Sequence, residues 1–248
     1  MLRIGTAGWT IPARDCERFP SEGSSLERYS ARFACAEINS SFHRSHRPDT
    51  WRRWALSVPD HFRFSAKLPK EITHKRRLAG CSELVAAALE EMGQLGDKLA
   101  ILLVQLPPSL AFEGDVASGF FAALRERWDR GIACEPRHAS WFEQVEAEAL
   151  LREFEIARVA ADPARVPAAA EPGGWPGLAY YRLHGSPVAY RSSYDDGRLE
   201  AYAAAMAGAQ GRAWCIFDNT ASGAATGDAL KLEELLASPP RRDGVAAL

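Results

Sequence analysis

Short apolar runs alternate with amphipathic helical patterns along this sequence, and that alternation limits what the chain can fold into. Eight apolar runs predict strands that begin near Arg3, Ala36, Arg63, Ala100, Gly131, Ala157, Ala179 and Ala213. Successive runs are about 30 residues apart, which is the length of one βα unit. The pattern predicts an α/β fold, a TIM-type (β/α)8 barrel, with residues 1–248 forming a single domain. An open doubly wound sheet is the alternative.

Local signals place several of the intervening helices. Ser24 and Glu27 have the spacing of a capping box at the start of one helix. Asp49 is expected to be the N-cap of the next. A further helix is predicted over residues 140–154. Residues 163–177 contain four prolines and three glycines, which predicts a long irregular loop after the sixth strand.

Composition and charge narrow the functional classes. The 248 residues carry 30 basic and 32 acidic side chains, a net charge of −2, so bulk charge predicts no affinity for nucleic acid or membranes. Five cysteines without a CxxC pair indicate a reducing compartment. The longest apolar run, Leu99 to Val104, is too short to span a bilayer, and the N-terminal residues lack a signal-peptide core. We expect a cytoplasmic protein without a membrane partner; the oligomeric state stays open.

Strand alternation predicts a polar end to the barrel. Every second residue of a barrel strand points inward, and the last inward residues line the C-terminal mouth. The inward set predicted in this way is Glu37, Asn39, Lys67, Gln105, Glu135, Arg137, Asp162, Arg182 and His184. The strand alternation leaves open whether Asp218 or Asn219 faces inward. Buried charges must be paired or solvated, so both a functional site and a self-paired structural plug fit the pattern.

The loops that follow the strands are basic. Positive charge is concentrated at Arg44, Arg47, Lys75, Arg76 and Arg77. On a nearly neutral protein this asymmetry favours an anionic ligand. A small anionic ligand is the preferred partner, and single-stranded nucleic acid is the alternative.

Residue chemistry suggests roles within this set. Glu37 or Glu135 is expected to act as general acid or base, and His184 to transfer protons near neutral pH. Lys67 completes the predicted catalytic group by offsetting developing charge. The predicted substrate-binding residues are Asn39, His74, Gln105, Arg137, Trp141, Asp162, Arg182, Tyr190, Arg191 and Asn219.

The same side chains bear on metal binding. Glu37, Glu135, Asp162 and His184 could in principle bind a divalent cation, but no HxH, HxD or HExxH spacing occurs. We therefore predict no cofactor, with a divalent metal as the less favoured alternative. The favoured function is an enzyme, a hydrolase or isomerase, acting by acid–base chemistry on a phosphate-bearing or sugar-containing small substrate. A nucleic-acid-binding protein, a nuclease-like hydrolase and a non-catalytic scaffold are the alternatives.

Several motifs resemble one family in combination and order. They are the segments 4–9 (IGTAGW), 36–42 (AEINSSF), 62–67 (FRFSAK), 72–74 (ITH), 105–109 (QLPPS), 135–141 (EPRHASW) and 181–185 (YRLHG). Together they resemble the domain-of-unknown-function 72 family, also called YecE-like, over nearly the whole chain. The resemblance implies a TIM barrel and brings no established activity. His43, Pro136 and Asp218 depart from the usual family pattern, which has tyrosine, phenylalanine and asparagine there.

Overall fold

The computed structural model describes residues 1–208 and 211–237. Within them, ten strands, β1 to β10 in chain order, are Leu2–Ala7, Cys35–Ile38, Arg63–Lys67, Leu99–Gln105, Gly131–Glu135, Ile156–Arg158, Ala160–Asp162, Gly173–Gly174, Leu178–Leu183 and Arg212–Phe217. The α-helices, α1 to α8, are Ser25–Ser30, Pro48–Leu56, Ser82–Met92, Gly114–Arg125, Ser140–Glu143, Val145–Glu153, Asp196–Ala207 and Ala224–Ala237.

Parallel pairing closes these strands into a barrel. The order of pairing is β7, β9, β10, β1, β2, β3, β4, β5, β6, β8. Only Val159 separates β6, which pairs with β5, from β7, which pairs with β9. These two segments therefore form one sixth barrel strand that completes the ring. The TIM-type (β/α)8 barrel is confirmed, each predicted strand start lies within one residue of the observed one, and the doubly wound alternative is wrong.

Local capping differs from the prediction at one helix. The capping box of Ser24 and Glu27 is formed at the start of α1. In α2, however, the N-cap is Arg47 and Pro48 occupies the first helical position, for which the fixed φ of proline is suited. Asp49 lies in the first turn instead and pairs with Arg52 at 2.9 Å.

Two segments between strands differ from the predicted secondary structure. The helix predicted over 140–154 is divided into α5 and α6, because Gln144 between them has an extended backbone conformation. The predicted irregular loop contains a 3-10 turn, Pro167–Ala170, and the short strand β8. β8 pairs antiparallel with β6, outside the parallel ring.

The apolar core has two layers that follow the alternation along each strand. One layer lies between barrel and helices and includes Ile38, Phe64 and Val104. The other fills the barrel interior and includes Leu103 and Trp214. This inner layer stops short of the C-terminal mouth, where polar side chains replace it.

One glycine is required by the close approach of two strands. A Cβ on Gly5 in β1 would lie 2.1 Å from the carbonyl oxygen of Cys35 in β2. Any side chain at this position would push these neighbouring strands apart.

We find no helix in residues 1–208 and 211–237 that has both the length and the apolar character needed to cross a membrane.

Candidate active site at the barrel mouth

A two-point ion pair between Arg182 and Glu37 forms the floor of the candidate site. Arg182 Nε donates to Glu37 Oε2 at 3.0 Å, and Nη2 donates to Oε1 at 2.7 Å. The Tyr180 hydroxyl donates to Glu37 Oε2 at 3.0 Å and lies 2.8 Å from Ser65 Oγ. The side chains of Arg182 and Glu37 are both completely buried. Glu37 therefore fixes the position of the arginine from below the mouth.

Arg182 also binds the carboxylates of Glu135 and Asp218. Nη1 donates to Glu135 Oε2 at 2.6 Å, and Nη2 donates to Asp218 Oδ2 at 2.9 Å. Gln105 and Arg137 donate to Glu135 as well, at 3.0 and 2.8 Å. Burial raises the pKa of Glu135, but Arg182 and Arg137 outweigh it and hold that pKa well below its usual range. Glu135 is consequently ionised at neutral pH and is a weak proton acceptor.

His184 is oriented by Asp218. Nδ1 lies 3.0 Å from Asp218 Oδ2, and since an ionised carboxylate can only accept, Nδ1 carries the proton. Nε2 lies 3.4 Å from Glu135 Oε1 and has no hydrogen-bond partner among the described residues. Burial lowers the pKa of His184, but Asp218 and Glu135 have the larger effect and raise it. The ring therefore has a fixed orientation at the wall of the mouth, with its second nitrogen beside Glu135.

Lys67 ends β3 and carries the fourth cationic side chain of this cluster. Its Nζ lies 3.8 Å from the centre of the Phe42 ring, and only 6% of the residue is exposed. Across residues 1–208 and 211–237, Nζ forms no hydrogen bond and no ion pair. Burial and the nearby Arg182 lower the pKa of Lys67 to about 8, although Glu37 and Glu135 act in the opposite direction.

A cavity of about 190 Å³ opens beside this cluster. Its lining includes Glu135, Arg137, Arg165, His184 and Tyr190. The Tyr190 ring meets the His184 ring edge-on, with centroids 5.3 Å apart. Two arginines and a histidine face one carboxylate here, so the cavity has a positive balance.

His74 lies at the edge of the mouth. Its ring packs edge-on against Phe42, with centroids 4.9 Å apart. Burial, Lys67 and Arg137 together lower the pKa of His74 to about 4. His74 is therefore neutral at physiological pH and can both donate and accept a hydrogen bond.

We define the rim as Arg44, Arg47, Lys75, Arg76 and Arg77. Lys75 pairs with Glu71 at 2.8 Å, and Arg77 donates to Ser109. Part of the positive charge of the rim is thus engaged within the protein.

Strand alternation placed one predicted site residue on the wrong side of the barrel wall. Asp162 was expected inside, but it accepts hydrogen bonds from Arg198 and Tyr202 of α7, the latter at 2.8 Å. The inward residues of the sixth strand are Ala157, Val159 and Ala161. Asp162 belongs to the outward series, so the prediction that it joins the mouth is wrong.

Two loop residues of the predicted binding set also lie away from the mouth. Trp141 is buried against Phe112 and donates from Nε1 to the Leu110 carbonyl at 3.0 Å. Arg191 lines a different cavity together with Lys231. Neither side chain contacts the cluster around Arg182.

Two asparagines differ in their surroundings. Asn219 donates to Asp228 at 2.7 Å and to the Ser192 carbonyl at 2.8 Å, so of the pair left open it is Asp218 that faces the barrel interior. Asn39 follows β2, and its buried Oδ1 has no hydrogen-bond partner within the described ranges.

Sequence reasoning missed three residues of this arrangement. Tyr180 precedes Arg182 by two positions, so the period of the strand could have placed it inward. Ser65 has the same relation to Lys67. Arg165 lies in the proline-rich loop, where no regular alternation of residues indicates which way a side chain points.

Within residues 1–208 and 211–237, no group of three or more histidine, cysteine, aspartate or glutamate side chains has an arrangement that could hold a metal ion. The three carboxylates of the cluster all bind Arg182.

Comparison with known proteins identifies the family of this chain. The sequence profile described as "Protein of unknown function DUF72" matches residues 3–246. The chain belongs to the DUF72 family. The UPF0759 protein YecE of Escherichia coli K12 is 30% identical to it over 153 residues, which is 61% of this chain and 54% of that relative. This DUF72 protein thus aligns with about half the length of its curated relative.

Solved DUF72 structures share the barrel. A family member from Enterococcus faecalis V583 superposes with a TM-score of 0.79 at 21% identity, covering 96% of both chains. One from Thermotoga maritima MSB8 gives 0.76 at 22%, covering 96% of this chain and all of the other. An L-ribulose 3-epimerase gives 0.51 at 15%, covering 98% and 100%. These likenesses show the fold.

Proposed function

We propose that this DUF72 protein is an enzyme that acts by acid–base chemistry on a small, phosphate-bearing or sugar-containing substrate at the barrel mouth. The observation that carries the proposal is the Asp218–His184 pair, in which Nδ1 is held at 3.0 Å while the ring lines the cavity and Nε2 lies 3.4 Å from Glu135 Oε1. An imidazole that is oriented by a carboxylate at the wall of a cavity is a common arrangement for proton transfer.

The charges around the cavity support an anionic substrate. Arg137 and Arg165 line it together with His184, and the raised pKa of His184 adds positive charge near neutral pH. Arginine is well suited to phosphate because its planar donors match two oxygens at once.

The size of the cavity favours a small molecule over a polymer. Sites for drug-sized ligands have volumes of about 300 Å³ or more, and this cavity has about 190 Å³. A triose or pentose phosphate, bound with its anionic group inside, is of suitable size.

The carboxylates take different parts in this proposal. Glu37 is enclosed by Arg182 and Tyr180, so it positions the arginine and does not meet substrate. Glu135 lines the cavity but has a low pKa, which suits it to stabilising an imidazolium and not to removing a proton. His184 is therefore the proposed proton carrier for isomerisation or hydrolysis.

Ligand binding tests the proposal directly. Calorimetric titration with triose and pentose phosphates is expected to show binding that falls at least tenfold in Arg137→Gln. Arg53→Gln, on the exposed side of α2, is the matched control and should bind like the wild type. Equal binding by Arg137→Gln, or no binding of any phosphate in the panel, contradicts the proposal.

Solvent exchange tests the chemistry. In deuterated water, His184→Gln should lose at least a hundredfold of any sugar-phosphate hydrogen exchange or phosphate release seen by magnetic resonance. The exposed His61, before β3, provides the control variant His61→Gln. Activity that survives in His184→Gln removes the histidine from the mechanism.

A further inference from the structure

Lys67 is the most buried of the lysines in the described residues, and its amine lacks a polar partner. The chain has five lysines, and the others are more exposed: Lys75 pairs with Glu71, Lys98 with Asp60 and Lys231 with Asp196, while Lys70 lies at the surface. Lys67 is buried, and within the described ranges its Nζ contacts the Phe42 ring face without an ion pair or hydrogen bond.

Three carboxylates near Lys67 leave it unpaired because Arg182 occupies them. Glu37, Glu135 and Asp218 each bind Arg182 at 2.6 to 2.9 Å. The guanidinium thus removes the anions that would otherwise hold the lysine as an ammonium ion. It also places a positive charge nearby, which disfavours a second one.

We propose that Lys67 is a nucleophilic amine that forms an imine with the carbonyl group of the substrate. This inference rests on the proposed function, and it narrows the substrate class to small phosphorylated aldehydes or ketones. The supporting geometry is the last inward position of β3, opposite β9, with Phe42 on one side and the Arg182 cluster below.

The chemistry balances without a cofactor. The neutral Nζ adds to the carbonyl carbon, and as the C–O double bond becomes single the nitrogen loses one proton while the oxygen gains one, which gives a neutral carbinolamine. The carbinolamine hydroxyl then takes a proton and leaves as water, which gives the protonated imine, and loss of the remaining nitrogen proton to solvent gives the neutral imine. Lysine in a desolvated pocket beside another cation is a known means of activating the amine for this step.

The lowered pKa increases the fraction of Lys67 that is a neutral, nucleophilic amine at pH 7. With a pKa of about 8, about a tenth of Lys67 is neutral at pH 7. For an amine with the ordinary lysine pKa of 10.5, about three molecules in ten thousand are neutral at pH 7. The reactive fraction therefore differs by roughly 300-fold.

Reductive trapping tests the inference. The full chain is incubated at pH 7 with dihydroxyacetone phosphate and cyanoborohydride, which reduces an imine to a stable secondary amine, and each lysine is quantified by peptide mass spectrometry. Lys67 should be modified at least tenfold more than Lys70 or Lys75, and Lys67→Met should abolish that modification. Modification spread evenly over the lysines, or absent from Lys67, overturns the inference.

Parallel measurements separate this inference from the proposed function. Phosphate-dependent binding without a Lys67 adduct overturns the imine and leaves the anion site intact. An adduct that forms equally well with uncharged dihydroxyacetone, and equally in Arg137→Gln, supports the amine and contradicts phosphate recognition.

The pH dependence of trapping tests the amine itself. Raising the pH from 7 to 9 should increase trapping at Lys67 about tenfold, and trapping should then level off because the amine is fully neutral. A continued tenfold rise per pH unit up to pH 10 contradicts an activated amine.

Discussion

Arg182 on β9 and Glu37 on β2 meet inside the barrel through two hydrogen bonds, of 3.0 and 2.7 Å, with neither side chain exposed to solvent. The buried guanidinium of this pair is stabilised because its donors are met by carboxylate oxygens. Arg182 also binds Glu135 and Asp218, so the guanidinium organises the whole cluster.

Glu37→Gln should lower the free energy of unfolding by about 3–5 kcal/mol, because it leaves part of a buried guanidinium without its counter-charge. Chemical denaturation measures the change. Glu90→Gln, on α3 and away from the cluster, should be nearly neutral. A loss below 1 kcal/mol for Glu37→Gln would show that water or a rearranged partner replaces the carboxylate.

His184→Gln should reduce stability more in acid than in base. The pKa of His184 is raised above 6.5 by Asp218 and Glu135, so the folded state holds this proton more tightly than the unfolded chain does. That stabilisation is complete below pH 6.5 and disappears as the pH rises through the folded pKa. Urea denaturation of wild type and variant at pH 6 and pH 9 measures the difference, and a gap that widens toward pH 9 contradicts the assignment.

Lys67→Met should stabilise the protein at pH 7. The lowering of the pKa from 10.5 to about 8 corresponds to about 3 kcal/mol, the energy disfavouring the buried ammonium. The penalty is full below pH 8 and is gone above pH 10.5, so the gain should shrink across that interval. Thermal and denaturant unfolding follow it, with the exposed Lys75→Met expected within about 0.5 kcal/mol of wild type. Destabilisation at pH 7 would mean that the ring contact with Phe42 outweighs the cost of burial.

Trp141→Phe should cost about 1–3 kcal/mol of stability, because the buried Leu110 carbonyl loses its donor. The affinity for sugar phosphates should stay the same, since Trp141 does not line the mouth cavity. Denaturation and calorimetry on one preparation give both values. Weakened ligand binding in a folded Trp141→Phe variant would place the ring in the site after all.

Salt dependence distinguishes a small ligand from a nucleic-acid strand. A strand bound across the rim would lose affinity with a log–log slope of about −0.7 for each phosphate contact, whereas a sugar phosphate in the cavity should respond much less. The test uses fluorescent single-stranded DNA and Arg44→Ala, Arg76→Ala, whose altered side chains form no hydrogen bond within the described structure. Tight, salt-sensitive strand binding that this double substitution abolishes would favour the nucleic-acid alternative.

The period of two along the strands carried most of the site prediction. It placed Glu37, Lys67, Glu135, Arg182 and His184 at one end of the barrel, and the structure brings these side chains together. The prediction worked because the direction of a side chain within a regular strand is a local property.

The prediction from strand alternation was wrong at one strand, where the tertiary fold decides which alternate residues face inward. The sixth strand is assembled from two segments with different partners, and its inward series ends at Ala161, not at Asp162. The burial of Trp141 likewise follows from the packing of α5 against the preceding loop, which no local pattern reports.

By itself, then, the sequence determined the (β/α)8 barrel and the polar character of its mouth, since both follow from short-range periodicity. Only the tertiary structure decided which charges pair. Arg182 takes all three carboxylates because its planar donors reach them simultaneously from β9, and Lys67, equally charged in the sequence, is left with an aromatic ring. Pairing depends on distances between side chains that are far apart along the chain, and those distances exist only once the barrel has closed.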